Sequence, residues 1–441
     1  MITLLNYKWF IYSIYFSVLM LISLFVRDIP DQFNVYFTID QIIKTSSLGD
    51  PVSFLTGAID VSKNGWFTPA NQWLINLWPP GFMLIEGYIL KLFGEYVYII
   101  LTLQILSSLI FSFVLIMIYG FIPKNINRLI AFFIPLILFI FPVSRVFLLE
   151  PTGVLLGESF SIGFFLLFVL FMLKAHYHSY TVYSILAGLF LGISAYFRSQ
   201  FETILVILSL FGIFFIIFNI LRYKFNSKRN KIDLKNIRIL FYIIITSVLI
   251  TLPWRIYNKI HNDRISWVAT SSLIYSNLVS SNEKLLSIGG GWIVEGKGNM
   301  ICLVNPSTCD DIKNSNPELL IKTFLGDPIL WYQIKFIPLK NYWFSELGYW
   351  TSPSPKITQN SMIINNSFIL MCIFIVITIC YKHKNSIAQL LGWIFVSLFI
   401  TYLMIFTVVH FETRYFYFPK IFIIFLFLLS LIFYFREKKY A

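Results

Sequence analysis

Long apolar runs recur along most of this chain and constrain its fold more than any other feature. A window of about 19 residues, the length that crosses a bilayer as a helix, predicts ten candidate spans. They lie at residues 9–26, 95–120, 129–149, 158–174, 180–197, 201–221, 237–252, 367–382, 386–408 and 417–436. The runs are continuously apolar and lack the period-two alternation of barrel strands. We therefore predict an all-α polytopic membrane protein with about ten transmembrane helices.

Composition supports a membrane protein and excludes a water-soluble one. Of the 441 residues 58% are hydrophobic and 12% charged, and the mean hydropathy is +0.76. Such a chain has too little polar surface to face water, so the lipid bilayer is its expected surroundings. The formal net charge is +13. No nucleic-acid-binding motif or soluble domain accompanies that charge, so we do not expect nucleic acid as a partner.

The Lys and Arg clusters predict which way the spans run. With the N-terminus inside, the segments IPKNINR, KAHYHSY, RYKFNSKRNKIDLKNIR, YKHKN and REKKYA all fall inside. The positive-inside rule then places both termini in the cytoplasm, and richness in Ile, Phe, Lys and Asn suggests a bacterial plasma membrane. The first run is followed by acidic sequence without a small-residue cleavage site, so we expect it to be retained.

This topology divides the chain into three parts. Residues 1–252 form a transmembrane core that includes outer loop 1 (27–94). Residues 253–366 form a larger outer-face segment between spans seven and eight, and residues 367–441 hold the C-terminal helices.

Charged residues gather at the outer ends of several predicted spans. They are Asp28, Asp31, Glu150, Glu158, Arg198, Glu202, Arg255, His410, Glu412 and Arg414. Each alone has an ordinary explanation, such as snorkelling or an interfacial ion pair. Their joint placement at one face favours a single polar site, because ionisable groups near hydrocarbon are costly. Carboxylates, arginines and aromatic rings together suit a lipid-linked anionic substrate.

Six short landmarks occur in an order that resembles one family. They are Asp31 and Tyr36 in "DQFNVYFTIDQI", the Pro-Pro of "WPPGFMLIEGYILKLFG", Glu150-Pro151, Arg198 after "GLFLGISAYF", "LPWRIYN", and "FETRYFYFP". The chain resembles the GT-C membrane glycosyltransferases that use polyprenyl-phosphate sugars, in the branch of the protein O-mannosyltransferases and the aminoarabinose transferase. The resemblance covers about residues 1–275 and 400–436. Tyr257 stands where relatives usually carry arginine, and "DQ" replaces their usual Asp-Glu pair.

The resemblance implies an inverting transfer of one sugar from a polyprenyl phosphate to an acceptor hydroxyl at the outer face. Asp31, with Asp28 as second candidate, would be the general base. Arg198, Arg255 and Arg414 would hold the departing phosphate, while Glu150, Glu158, Glu412 and Tyr36 would bind substrate or orient the arginines. No metal or other cofactor is implied, although a divalent cation on the phosphate stays possible.

The stretch 79–94 is too short to span a bilayer and carries Glu86 and Lys91. A proline pair suits a helix start, since proline lacks an N–H that the first turn leaves unpaired. In such relatives the first outer loop lies along the membrane surface, so we expect an interfacial helix. The alternative is an eleventh short span or re-entrant hairpin. A full span here would move every later basic cluster outside, against the positive-inside rule.

Three further alternatives stay open at this point. The protein could be a flippase or transporter of lipid-linked saccharides, although such a path would place charges along the middles of the helices. It could also be a polymerase or ligase of lipid-linked glycans, which shares an outer-face site. Cys302 and Cys309, in the outer segment, could form a disulfide or remain free thiols.

Overall fold

The computed structural model describes residues 8–28, 33–46, 49–94, 97–178, 180–225, 234–263, 359–382 and 417–437, with a few isolated positions besides. Within these residues every regular element is helical. The α-helices are α1 (Lys8–Phe25), α2 (Ile39–Ser46), α3 (Asp50–Asn64), α4 (Gln72–Leu77), α5 (Gly81–Phe93), α6 (Ile99–Tyr119), α7 (Arg128–Leu136), α8 (Pro142–Leu148), α9 (Pro151–Val154), α10 (Glu158–His178), α11 (Thr181–Phe197), α12 (Gln200–Phe225), α13 (Leu234–Asn262), α14 (Gln359–Lys382) and α15 (Tyr417–Glu437).

Five of the described helices, α1, α6, α10, α13 and α15, are long and apolar enough to cross a membrane. A bent pair made of α7 and α8 would be a sixth. Shorter apolar helices lie in α11, α12 and α14, at positions predicted as spans. The predicted span 386–408 falls mostly outside the described residues. The all-helical class is therefore confirmed, and these five or six apolar helices are compatible with a multi-pass membrane protein, while the count of ten spans stays a prediction.

The predicted span 129–149 is not one straight helix. The segments Arg128–Phe139 and Pro142–Leu148 meet at an angle of 74°. Pro142 lacks an N–H and forces the residue before it out of the helical region, and Phe141 has φ −89° and ψ 139°. The chain therefore breaks at Phe141, and the carbonyls just before the break lose their helical partners.

Helix α10 lies at the centre of the bundle, since 83% of its most apolar 18-residue stretch is buried. It packs against α11 and α6. The ring of Phe165 in α10 also lies 5.4 Å from that of Phe418 and 5.7 Å from that of Phe422, both in α15. Helix α15 thus adds aromatic contacts to one face of the central α10.

Outer loop 1 forms the helices α2 to α5. Pro80 is the N-cap of α5, and Gly94 ends it with φ +84°, which confirms the predicted helix start and end. Its 13 residues are too few to cross a bilayer. One face packs on α3, where a Cβ on Gly87 would lie 2.6 Å from Val61 Cγ1. Exposed apolar side chains lie elsewhere on α5, at Tyr88, Leu92 and Phe93.

Candidate functional site

In the described part of the chain, three carboxylate–arginine pairs join helix ends that were predicted to lie at the outer face. The pairs are Asp28–Arg145, Glu158–Arg198 and Glu202–Arg255. Short chain segments connect them: residues 150–158 lead from the first pair to the second, and residues 198–202 lead from the second to the third. Five of the six residues in these pairs were predicted to gather at one face, and Arg145 was not.

The first pair has the most complete set of bonds. Arg145 Nε donates to Asp28 Oδ2 at 2.7 Å, and Arg145 Nη2 donates to Asp28 Oδ1 at 2.9 Å. The backbone N–H of Asp28 donates to Glu150 Oε1 at 2.9 Å. Asp28 follows α1, while Glu150 is the N-cap of α9 and only 2% exposed. These bonds fix the chain just after the first span against the turn before α10.

Arg145 was not among the predicted site residues, and its role follows from the break at Phe141. Its Nη1 donates to the carbonyls of Phe139 and Ile140, the last two before the break. An arginine can satisfy both sets of acceptors, since its planar fork carries five N–H donors. Arg145 thus caps the broken helix and holds Asp28 at the same time. A lone arginine inside a long apolar run, three residues after a proline, was the available sequence signal.

The second pair is more buried than the first. Arg198 is the C-cap of α11, and Glu158 begins α10; each residue is 8% exposed. Arg198 Nη2 donates to Glu158 Oε1 at 2.5 Å and to the Leu156 carbonyl at 3.1 Å. Arg198 Nε is fully buried and has no hydrogen-bond partner within the described part of the chain. The buried guanidinium therefore keeps donor capacity that its own neighbours do not use.

Outer loop 1 covers this second pair with aromatic rings. The guanidinium carbon of Arg198 lies 6.0 Å from the ring centre of Phe54 in α3. Phe54 packs edge-on against Phe82 of α5 at 5.4 Å. Phe82 in turn lies over Gly157, where φ is +70° and a Cβ would approach the ring to 2.8 Å. A glycine is required at this position both by its backbone conformation and by the closeness of Phe82.

The third pair lies where α12 begins and α13 nears its end. Arg255 Nη2 contacts Glu202 Oε1 at 2.6 Å, with each side chain about one-fifth exposed. Helix α13 continues past Pro253 to Asn262, beyond the predicted end at residue 252. Tyr196 of α11 donates its hydroxyl to the Ile250 carbonyl at 2.9 Å, which joins α11 to α13 beside this pair.

Tyr257 connects outer loop 1 to α13. Its hydroxyl oxygen accepts hydrogen bonds from Trp66 Nε1 and Gln72 Nε2, both at 2.9 Å. Its ring stacks on Trp254 with centres 5.2 Å apart and planes 9° apart. Tyr257 therefore fastens outer loop 1 to α13.

Asp60 organises the turn that carries Trp66. Its carboxylate accepts from the Thr68 N–H and hydroxyl, from Asn71 and from Asn64, at 2.6 to 3.1 Å. Burial of the carboxylate raises its pKa, but these donors outweigh that effect and leave the pKa below its ordinary value.

The remaining predicted site residues fall into two groups. Tyr36 is 59% exposed, with its ring edge-on to Tyr98 at 5.8 Å, and no hydrogen bond described here links it to the ion pairs. The others lie outside the described residues: Asp31, Glu412, Arg414, and with them Cys302 and Cys309. The described residues hold no group of three His, Cys, Asp or Glu side chains placed to bind a metal.

Comparison with protein-family models, with curated proteins and with solved structures finds no match to this chain.

Proposed function

We propose that the protein is an inverting glycosyltransferase that moves one sugar from a polyprenyl-phosphate carrier to an acceptor hydroxyl at the outer face of the membrane. The observation that carries this proposal is Arg198. It is a buried arginine at a helix end, paired with one carboxylate and covered by Phe54 of outer loop 1, the loop that also contains the helix-opening Pro-Pro before α5. The ordered landmarks shared with the GT-C glycosyltransferases support the same activity.

Arg198 is our first choice for binding the carrier phosphate. Its Nη2 is occupied by Glu158 and Leu156, while Nε has no partner among the described residues. A planar guanidinium with unused N–H groups matches phosphate oxygens, and it is strongest where water is excluded. Glu158 and the ring of Phe54 would orient it. Arg255 and Arg414 are further candidates for the same anion.

Asp31 is our choice for the general base. Both carboxylate oxygens of Asp28 accept from Arg145, so we assign Asp28 a positioning role at the start of the loop that carries Asp31. Asp31 would take the proton from the acceptor hydroxyl as its oxygen forms a bond to the anomeric carbon. The carbon–oxygen bond to the phosphate breaks with its electron pair on the phosphate, and the configuration inverts.

The proposed topology has ten spans, with both termini in the cytoplasm of a bacterium and the ion pairs on the opposite side. Helices α3 to α5 would lie in the interface above these pairs, with α5 as an interfacial helix. The exposed Tyr88, Leu92 and Phe93 of α5 are suited to contact lipid there.

The test is transfer of radiolabelled sugar from membrane-extracted polyprenyl-phosphate sugars, with separate measurement of carrier binding. Asp31→Asn is expected to lower transfer by about 10²–10⁴-fold while carrier binding survives. Arg198→Gln is expected to weaken carrier binding itself. Lys44→Gln, on the exposed end of α2, is the matched control and should behave as wild type. Absence of transfer with every lipid-linked sugar tried, together with movement of those lipids across vesicles, would overturn the proposal in favour of a flippase.

A further inference from the structure

Glu86 is the least expected side chain in outer loop 1. It lies on α5 and is 1% exposed, yet neither carboxyl oxygen has a hydrogen-bond partner within the described part of the chain. Buried polar groups are almost always hydrogen-bonded, and an unpaired buried carboxylate is far more costly than an unpaired hydroxyl. The buried carboxyl of Glu86 therefore needs either a hydrogen-bond partner or a bound proton that makes it neutral.

Among the described residues no charged neighbour takes the place of that partner. α5 packs mainly on α3, touches α11 at Tyr196, and reaches the start of α10 through Phe82. The ionisable groups on these elements beside α5 are Asp50, Asp60, Lys63, Tyr196 and Glu158. Asp60 is bonded within its own turn and Glu158 to Arg198. Burial alone raises the pKa of Glu86, well above its ordinary value.

The close packing of α5 makes this burial difficult to relieve. A Cβ on Gly87 would lie 2.6 Å from Val61, and one on Gly81 would lie 2.5 Å from the Tyr196 carbonyl oxygen. Backbone and side chains thus meet on both sides of Glu86, so water reaches the carboxyl only if α5 moves away from α3 and the bundle.

We propose that Glu86 is a proton-binding site, and that docking of α5 onto α3 and the bundle requires a proton on its carboxyl. Undocking would hydrate the carboxyl and release the proton to water. The ligand is the proton, and the site is independent of the proposed glycosyl transfer.

The sign of the pH dependence follows from linkage. Glu86 contributes fully to docking below the ordinary pKa of a glutamate. That contribution is lost as the pH rises from there through the raised pKa of the docked state. Within this window one proton leaves on undocking, so the docking equilibrium weakens by about tenfold per pH unit. Acid at the outer face thus favours the docked loop.

Amide hydrogen exchange of α5 in lipid nanodiscs tests this, with Glu86→Gln as the isosteric neutral variant. The ratio of wild-type to variant exchange at each pH cancels the intrinsic pH dependence of exchange. We expect this ratio for the α5 peptides to rise with pH and to stay constant for α10. Asp40→Asn, which removes an exposed acid on α2, should follow wild type. A constant α5 ratio from mildly acidic to alkaline pH overturns the proposal.

Infrared spectroscopy gives a second measurement that needs only folded wild-type protein if the variant is unstable. The carbonyl stretch of a protonated carboxylic acid should persist above the ordinary pKa of a glutamate and should disappear as the pH is raised further. If Glu86→Gln folds, its spectrum should lack that band. The wild-type minus variant difference spectrum then assigns the band to Glu86. Loss of that band at the ordinary pKa of a glutamate would reject the proton site.

Discussion

The guanidinium of Arg145 binds both carboxylate oxygens of Asp28, at 2.7 and 2.9 Å, although 117 residues separate the two in sequence. The same arginine caps the carbonyls left free by the break at Phe141. A bent helix pair and the first residues of outer loop 1 are therefore held by one side chain.

Arg145→Gln should destabilise the protein by about 1.5–3 kcal/mol, the usual loss when a charged hydrogen bond is broken. Asp28→Asn should have a smaller effect, since an asparagine oxygen still accepts from Arg145. The free energy of unfolding in detergent, measured for both variants and the double variant, checks this. Strictly additive effects would show that the two side chains are not energetically coupled.

Gly157→Ala should destabilise through two separate effects. A left-handed conformation costs an alanine about 1–2 kcal/mol, and the clash with Phe82 adds about 1–3 kcal/mol. Gly65→Ala is the matched control, because Gly65 has φ +77° with nothing within 4 Å of its Cβ. The difference between their thermal unfolding midpoints isolates the Phe82 contact. Equal midpoints would mean that Phe82 moves away freely, and Phe82→Leu should partly rescue Gly157→Ala.

Tyr257→Phe should loosen outer loop 1 from α13. The change removes the acceptor of Trp66 Nε1 and Gln72 Nε2, which are partly buried, and the loss of a hydrogen bond costs about 0.5–1.5 kcal/mol. Hydrogen exchange over residues 64–77 should increase, while α10 remains protected. Tyr180→Phe, at a position 62% exposed, serves as control. Unchanged exchange in the Tyr257 variant would assign the hydroxyl no role in fastening the loop.

Acid should weaken the turn at Asp60. Because its pKa is lowered in the folded protein, Asp60 stabilises the turn above its ordinary pKa and loses that contribution as the pH falls through the lowered value. Protease protection of residues 60–72 should therefore fall in acid in wild type. In Asp60→Asn, protease protection of these residues should be lower than in wild type at neutral pH and should not fall further in acid. A fall of the same size in the variant would assign the loss of protection to another group.

The sequence predicted the helices well because apolar runs of bilayer length have few other stable forms. The start of α5 after Pro80 and its end at Gly94 were also predictable, since both residues have strong backbone preferences. The bend at Phe141 was not, although Pro142 was visible. Proline alone does not distinguish a kink from a helix start, and Arg145 stabilises the break only once the chain has folded.

The sequence indicated which residues belong to the site, but it did not indicate which of them bond to each other. Joint placement of Glu158, Arg198 and Arg255 at helix ends predicted one polar region, and the structure shows each of the three in an ion pair. Which carboxylate meets which arginine depends on helix packing, which leaves no local signal. The burial of Glu86 was hidden for the same reason, because whether a charged residue on a short helix faces lipid, water or α3 is decided by tertiary contacts.

The contact between Phe165 and Phe418 also bears on how the chain is made. Helix α10 is synthesised well before α15, which supplies Phe418. The face of α10 around Phe165 must therefore lack this contact until α15 has been made. Loss of α15 would leave that face incompletely packed, so the bundle would fail at a late step of its assembly.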